Sequence, residues 1–189
     1  MDVYKIAVKV FASEPDGVGL DFVPIFQRWI QNQSVQGHRL IDVADYGHVA
    51  AGPGTVLVSS EANFHMDRGQ DRLGLMYSRK LPLEGTFTDR LLAAISQALQ
   101  AAARLEREPE VAGKLKFKTD EILLRLNDRL RAPPNDQTVA EARGDVQAVA
   151  KRLYGDTAVV ESHFTPQTVV EFRIRSKEKP ELETLLKKV

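Results

Sequence analysis

The chain has 189 residues, of which 43% are hydrophobic and 28% charged, and its 26 acidic residues balance its 26 basic residues. This composition indicates a folded globular protein and excludes a disordered chain. The absence of cysteine excludes disulfides, thiolate nucleophiles and cysteine-bound metals.

The distribution of charge and hydropathy favours a protein that acts on neither nucleic acid nor membrane. Basic residues alternate with acidic ones at 114–121 and 173–178 instead of forming a patch, so we expect no nucleic-acid binding. No basic segment followed by an apolar stretch marks the N-terminus, and no apolar run approaches the ~20 residues that span a bilayer. We therefore expect a cytoplasmic protein.

The N-terminal part of the chain predicts a strand, a helix and a second strand. Residues 3–11 alternate as a strand does, and a loop follows at 13–19. Asp21 then begins a helix with the i, i+3, i+4, i+7, i+8 spacing of a helix that lies on a sheet; the apolar positions are Phe22, Ile25, Phe26, Trp29 and Ile30. Residues 38–43 predict the second strand, and a long loop follows at 44–54.

The most regular pattern in the chain lies between Thr55 and Asp67. Polar side chains alternate there with apolar ones, as on a strand that is buried on one side; the polar ones include Ser59, Glu61, Asn63, His65 and Asp67. We call this set the polar row. Residues 67–70 predict a turn and residues 71–80 a return strand, with Met66 beside Asp71, His65 beside Arg72 and Asn63 beside Gly74.

The rest of the chain predicts two long helices and further strands. An alanine-rich helix at 88–108 begins with a capping arrangement of Thr86 and Asp89, and 114–130 holds one or two strands, or a strand and a short helix. Residues 132–135 (Ala-Pro-Pro-Asn) resemble a linker. Beyond them the pattern predicts a helix at 137–154, a hairpin with strands at 157–164 and 168–175, and a short helix at 180–189.

These elements together predict an α+β fold. We expect an antiparallel or mixed sheet, built from hairpins, with the helices packed on one face. Residues 1–131 would form a unit with the central hairpin, and residues 132–189 a smaller helix–hairpin–helix unit packed into the same domain. The order of helix, strand, hairpin and helix occurs before Gly113 and, in abbreviated form, after Pro134, which leaves an internal duplication open.

The polar row and the loop before it form the candidate site. Glu61 and His65 are the candidate catalytic residues, since a carboxylate and a histidine can transfer protons near neutral pH. We expect four residues to contact a ligand: Tyr46, His48, Asn63 and Arg72. Glycine at position 74 removes a side chain from the polar face, which weakens a sheet unless another group approaches closely.

Metal binding receives less support from the spacing. Glu61 and His65 would lie about 13 Å apart along a strand, so they cannot share one ion. His65 and Asp67 could do so with His48 as a third ligand, but the spacing is loose and we predict no metal site. The chain has two further histidines, His38 and His163, which we expect at the surface.

The polar row could simply be the solvent-exposed face of a sheet. If it has a function, three functions remain open. We favour a protein that binds a small polar ligand at the 45–54 loop and the 59–67 strand face. The alternatives are a hydrolytic or proton-transfer enzyme that uses Glu61 with His65 or His48, and an interaction or assembly module. We also expect a homodimer, since the alanine-rich helix can pack closely against a second copy. The sequence does not identify whether a cofactor is used or which one.

Overall fold

The computed structural model describes residues 1–13, 19–49 and 52–189. Parts of the two predicted loops, residues 14–18 and 50–51, lie outside the described residues. The strands are β1 Ile6–Ala12, β2 Leu40–Asp45, β3 Thr55–Ser59, β4 Ala62–Asp67, β5 Gly74–Arg79, β6 Phe117–Leu126, β7 Val159–His163 and β8 Val170–Arg175. The α-helices are α1 Val23–Gln31, α2 Phe87–Glu106, α3 Asp136–Tyr154 and α4 Leu182–Leu186.

The strands form one eight-stranded sheet in the order β2-β3-β4-β5-β1-β6-β8-β7, and every neighbouring pair is antiparallel. The predicted α+β fold is confirmed. Strands from before and after residue 132 pair in the same sheet, and one hydrophobic core extends over both segments. In each of two successive runs of strands, β1–β5 and β6–β8, the first strand pairs with the last: β1 with β5 and β6 with β8. The duplication itself stays a prediction.

Local capping explains where the helices begin. Asp21 Oδ1 accepts a hydrogen bond at 2.9 Å from the backbone N–H of Val23, the residue at which α1 begins. Thr86 and Asp89 form the predicted capping box at the start of α2. Asn135 caps α3 by accepting from the N–H of Thr138, so the predicted linker serves as a helix start. None of the helices in the described part of the chain is long and apolar enough to cross a membrane.

The core lies between the helices and one side of the sheet. The sheet side chains in this core come from alternate positions of the central strands, such as Val8, Val10, Phe64 and Tyr77. The intervening positions, which include Lys9, point to the other side, which we call the charged face. The helices therefore pack on one face, as predicted.

The prediction of one strand from Thr55 to Asp67 is wrong. The segment is a hairpin, because the chain turns at residues 60–61 and β3 pairs with β4. The Ser59 hydroxyl closes the turn: it accepts from the N–H of Ala62 at 3.0 Å and donates to the carbonyl of Ala62 at 2.6 Å. Side chains change face across this turn, so Leu57 and Ser59 are fully buried on the core side with Phe64.

The predicted hairpin of β4 with β5 is present, but its predicted register is wrong by four residues. Met66 pairs with Leu75 and His65 with Met76, because residues 68–73 form a longer connection than a tight turn. A register shift by an even number of residues leaves each side chain on the same face of the sheet. The prediction of which side chains of β4 and β5 share a face therefore still holds.

The alanine-rich helix is explained within the chain. Its small side chains are buried against β1, β5 and the neighbouring helices α3 and α4; they are Ala94, Ala98, Ala101 and Ala102. This packing removes the argument that a second copy must cover the helix. The homodimer stays a prediction.

Candidate functional site

A cavity of about 720 Å³ opens at the end of the sheet where β2 ends and β3 begins. Three segments form its walls in the described part of the chain: residues 19–22 just before α1, residues 45–49 and 52–54 of the loop, and the connection at 68–73. We call this cavity the loop cleft. Its volume lies within the range of about 300–1,000 Å³ that is common for small-molecule sites.

Acidic side chains dominate the charged lining of the loop cleft. Three carboxylates, from Asp21, Asp45 and Asp71, face one guanidinium, from Arg68. Asp45 Oδ1 accepts from the N–H of Gly47 at 2.9 Å, and Asp21 Oδ1 accepts from the N–H of Val23 at 2.9 Å. Within the described part of the chain no hydrogen bond reaches the Oδ2 atoms of these carboxylates, so they remain as acceptors for a ligand.

Apolar groups complete the cleft. Tyr46 is 43% exposed and Val49 is 44% exposed, and both line it. Phe22, Met66 and Leu73 line it from the core side. Apolar walls with a few placed polar groups are typical of small-molecule sites.

The wall at 68–73 has a strained backbone. Gln70 has φ 63° and Asp71 has φ 55°, so two consecutive residues other than glycine adopt the left-handed conformation. Each costs roughly 1–2 kcal/mol and persists only where surrounding contacts hold it. The Gln70 side chain supplies such contacts, since its Oε1 accepts from Arg173 at 2.7 Å. Strain of this kind concentrates at ligand sites.

A buried lysine on the charged face holds the same wall. Lys9 is 1% exposed, and its ammonium donates to Asp67 Oδ2 at 2.5 Å, to the carbonyl of Gly69 at 3.0 Å and to the carbonyl of Arg72 at 2.7 Å. Burial lowers the pKa of Lys9, and the Asp67 carboxylate opposes that shift. All three ammonium protons have acceptors, so Lys9 fixes the start and end of the connection.

Gly74 provides the space for this lysine. A Cβ atom at position 74 would lie 2.8 Å from Lys9 Cε and 2.6 Å from the carbonyl oxygen of Val10. The close approach that the sequence suggests at Gly74 therefore comes from the chain's own lysine. In the pairing of β4 with β5, the residue opposite Gly74 is Asp67 and not the predicted Asn63.

Arg72, a predicted ligand contact, is already engaged. Its guanidinium donates two hydrogen bonds to Glu121 at 2.9 and 2.7 Å and stacks over the Phe11 ring with its Cζ 3.8 Å from the ring centroid. Burial would raise the pKa of Glu121, but the hydrogen bond and charge of Arg72 lower it below its usual value. Arg72 thus ties the connection to β6 on the charged face.

Glu61 lies far from the loop cleft. It occupies the turn between β3 and β4, about 16 Å along β3 from the loop. Its carboxylate accepts from the backbone N–H of Arg39 at 2.8 Å. Although burial raises its pKa, this hydrogen bond and the positive charge of Arg79 lower it below the usual value. The histidine that interacts electrostatically with Glu61 is His38, when its ring is protonated, rather than His65 or His48.

The other predicted residues are spread over separate places. His65 lies between Val56 and Met76 on the charged face. Its Nε2 atom is buried without a hydrogen-bond partner among the described residues, and burial lowers the pKa of the ring. Asn63 Oδ1 accepts from Lys80 at 3.0 Å. His48 is exposed.

Of the six predicted site residues, Tyr46 alone lines the loop cleft as the structure describes it. Asp21 and Asp71 were missed, because they reach the cleft from elements distant in sequence from the loop, whereas Asp45 belongs to the predicted 45–54 loop without having been named as a ligand contact. The predicted turn at 67–70, which leads into Asp71, was the one signal in the sequence that could have identified that residue.

Within the described ranges, no group of three histidine or carboxylate residues lies close enough to hold a metal ion. The chain matches no protein-family model and no curated protein.

Proposed function

We propose that this protein binds a small polar ligand in the loop cleft. The observation that carries the proposal is a cavity of about 720 Å³ whose charged lining, among the described residues, has three carboxylates and one guanidinium. A strained backbone turn forms one wall, and the buried ammonium of Lys9 holds that turn in place. Because this wall is already ordered, ligand binding loses less conformational entropy than it would with a mobile loop.

The charges of the lining favour a ligand that donates hydrogen bonds and carries positive charge. Two of the three carboxylates have no opposite charge within the lining once Arg68 is counted against the third. Ammonium groups would gain charge-assisted hydrogen bonds to the free Oδ2 atoms of Asp45 and Asp71. Tyr46 can cover an aliphatic chain between such groups. We therefore infer that the ligand is a small organic amine.

Geometry gives the two alternatives less support. A proton-transfer enzyme needs its acid and base at one substrate position. Glu61 and His65 are separated by roughly 13 Å of strand, and His48 lies at the other end of β3. An interaction module would need an exposed apolar face on α2, and the apolar residues of that helix are buried within the chain.

Calorimetric titration with two probes of equal chain length and opposite charge tests this proposal. We expect 1,4-diaminobutane to bind and succinate to bind at least tenfold more weakly at the cleft. The Asp71→Asn variant removes one lining charge. It keeps the backbone conformation, because asparagine tolerates positive φ better than most residues. We expect it to weaken diamine binding roughly three- to tenfold.

Asp42→Asn is the matched control, because Asp42 is an exposed carboxylate on β2 outside the cleft. It should leave the diamine affinity unchanged. Equal affinities for the diamine and the dicarboxylate, or equal losses in the two variants, would contradict the proposal.

A further inference from the structure

A second cavity, of about 230 Å³, lies on the core side of the sheet between α2 and the end of β5. Its polar lining consists of Tyr4, His38, Tyr77, Arg79, Arg90 and Gln97. We call it the His38 cavity. It is separate from the loop cleft, with which it shares no lining residue among those described.

The spacing along α2 explains why this cavity exists. Arg90 and Gln97 are seven residues apart, two helical turns, so they lie on the same face of the helix. Between them the cavity is lined by Ala93 and Ala94, whose side chains end at Cβ. The two long polar side chains therefore border a space that the alanines leave unfilled.

Two of the lining residues each carry a polar atom that is buried without a hydrogen-bond partner among the described residues: Arg90 Nε, a donor, and Gln97 Oε1, an acceptor. A buried polar atom without a partner costs about 1–3 kcal/mol, and native proteins contain few of them. Two on the lining of one small cavity indicate that a polar occupant belongs there. The occupant must accept from Arg90 and donate to Gln97.

Arg90 is positioned to bind a carboxylate. Its Nη1 atom donates to Asp2 Oδ1 at 3.1 Å and to the carbonyl of Val3 at 3.3 Å, which anchors the guanidinium from one side. The Nε–Nη2 edge makes no hydrogen bond within the described residues. That edge presents two parallel N–H groups, the arrangement that binds both oxygens of a carboxylate.

The remaining polar groups add positive charge or are neutral. Arg79 donates to the backbone carbonyls of Leu81 and Pro82, at 2.9 and 3.3 Å. These carbonyls are neutral, so they do not neutralise the positive charge of Arg79. His38 Nδ1 lies 3.1 Å from the carbonyl of Gln36, so Nδ1 donates, and His38 Nε2 accepts from the Tyr77 hydroxyl at 3.2 Å. Burial lowers the pKa of His38, which favours this neutral ring.

No aspartate or glutamate lines the cavity within the described part of the chain, and Glu61 nearby is held by the N–H of Arg39. We propose that the His38 cavity binds a small hydroxycarboxylate, with its carboxylate on Arg90 and Arg79 and its hydroxyl donating to Gln97. A ligand of this kind would satisfy both unpartnered atoms at once. Asp2 already pairs with Arg90 at 3.1 Å, so the single negative charge of the ligand would offset the remaining positive charge of Arg79.

Three probes of nearly equal size test this site: lactate, propionate and lactamide. Propionate lacks the hydroxyl of lactate, and lactamide lacks its charge. In NMR titrations of the ¹⁵N-labelled protein, we expect lactate to shift the amide signals of Ala93, Ala94 and His38. Propionate should bind about tenfold more weakly than lactate, since it leaves Gln97 Oε1 without a donor. Lactamide should produce no shift at these residues.

Gln97→Leu and Gln100→Leu form a matched pair on α2. Gln97→Leu should remove the preference for lactate over propionate, and it should also raise the melting temperature, because it deletes a buried atom without a partner. Gln100 is exposed and bonds to Ser96 at 3.0 Å, so its replacement should preserve the preference. Arg90→Lys keeps the charge but loses the two-pronged edge, and should weaken both acids at least fivefold.

The proposal is overturned if lactate and lactamide give the same shifts, or if lactate shifts no residue of the cavity. The first result would mean that the cavity does not select for a carboxylate, and the second that it does not bind lactate. It would be overturned equally if Gln97→Leu preserved the preference for lactate. None of these outcomes bears on amine binding in the loop cleft, which is read with a different probe at different residues.

Discussion

The ammonium of Lys9 lies 2.5 Å from the carboxylate of Asp67, and the lysine is 1% exposed. The two residues are 58 positions apart in the sequence and meet on the charged face of the sheet. Their ion pair, with the two carbonyls that complete the lysine's contacts, joins β1 to the connection at 68–73. One wall of the loop cleft therefore depends on a buried charge pair.

Lys9→Met should destabilise the protein by about 3–5 kcal/mol, because it leaves the Asp67 carboxylate and two carbonyls without their shared donor. The double variant Lys9→Met with Asp67→Asn should recover part of that loss, since no unpaired charge remains. Urea unfolding of the wild type, the two single variants and the double variant measures this coupling. Strictly additive effects would show that the pair does not act as a unit.

Gly74→Ala should destabilise the protein by about 1–3 kcal/mol, because the new Cβ would overlap the Lys9 side chain and the Val10 carbonyl. Gly144→Ala is the control, since position 144 lies inside α3 and a Cβ there meets nothing within 4 Å. That change should stabilise the protein by about 0.5–1 kcal/mol. The melting temperature should fall in Gly74→Ala and rise in Gly144→Ala. A Gly74→Ala protein as stable as the wild type would refute the packing argument.

Stability should fall on mild acidification because of His38 and His65. Burial lowers the pKa of both histidines below the ordinary value of 6.5, so the unfolded chain binds protons more readily than the folded one. Their contribution is complete above about pH 6.5 and is lost as the pH falls through the lower folded pKa values.

Urea unfolding between about pH 5 and 7.5 should therefore show a dependence of stability on pH that becomes weaker in His38→Gln and in His65→Gln. NMR titration of the ring protons reads the two pKa values directly. Values at or above about 6.5 for both rings would contradict the burial that the structure assigns to them.

Local signals were enough to predict the helices. The α1 stripe from Phe22 to Ile30 and the capping box of Thr86 with Asp89 depend on neighbours within a few residues. The turn at 60–61 was missed because Val56 and Val58 continue the alternation of Phe64 and Met66, although they lie on the other side of the sheet. A two-residue turn between two alternating strands leaves no break in such a pattern.

Long-range contacts account for most of what the sequence did not predict at the site. The expectation that His38 lies at the surface is wrong: it is 7% exposed, because Tyr77 and Phe64 pack against its ring. Lys9 alternates with apolar residues in β1 and looks solvated until its partner Asp67 is known. Such pairs become visible only when the strand order brings them together.

NMR mapping of 1,4-diaminobutane on the ¹⁵N-labelled protein tests the central claim most directly. The loop cleft predicts shifts at Tyr46, Gly47 and Asp71 that saturate with one affinity and weaken in Asp71→Asn. Shifts centred on Asn63 and Ser78, far from the cleft on the charged face, would contradict that location. The absence of any saturable shift at the cleft would contradict the proposal that it binds small amines.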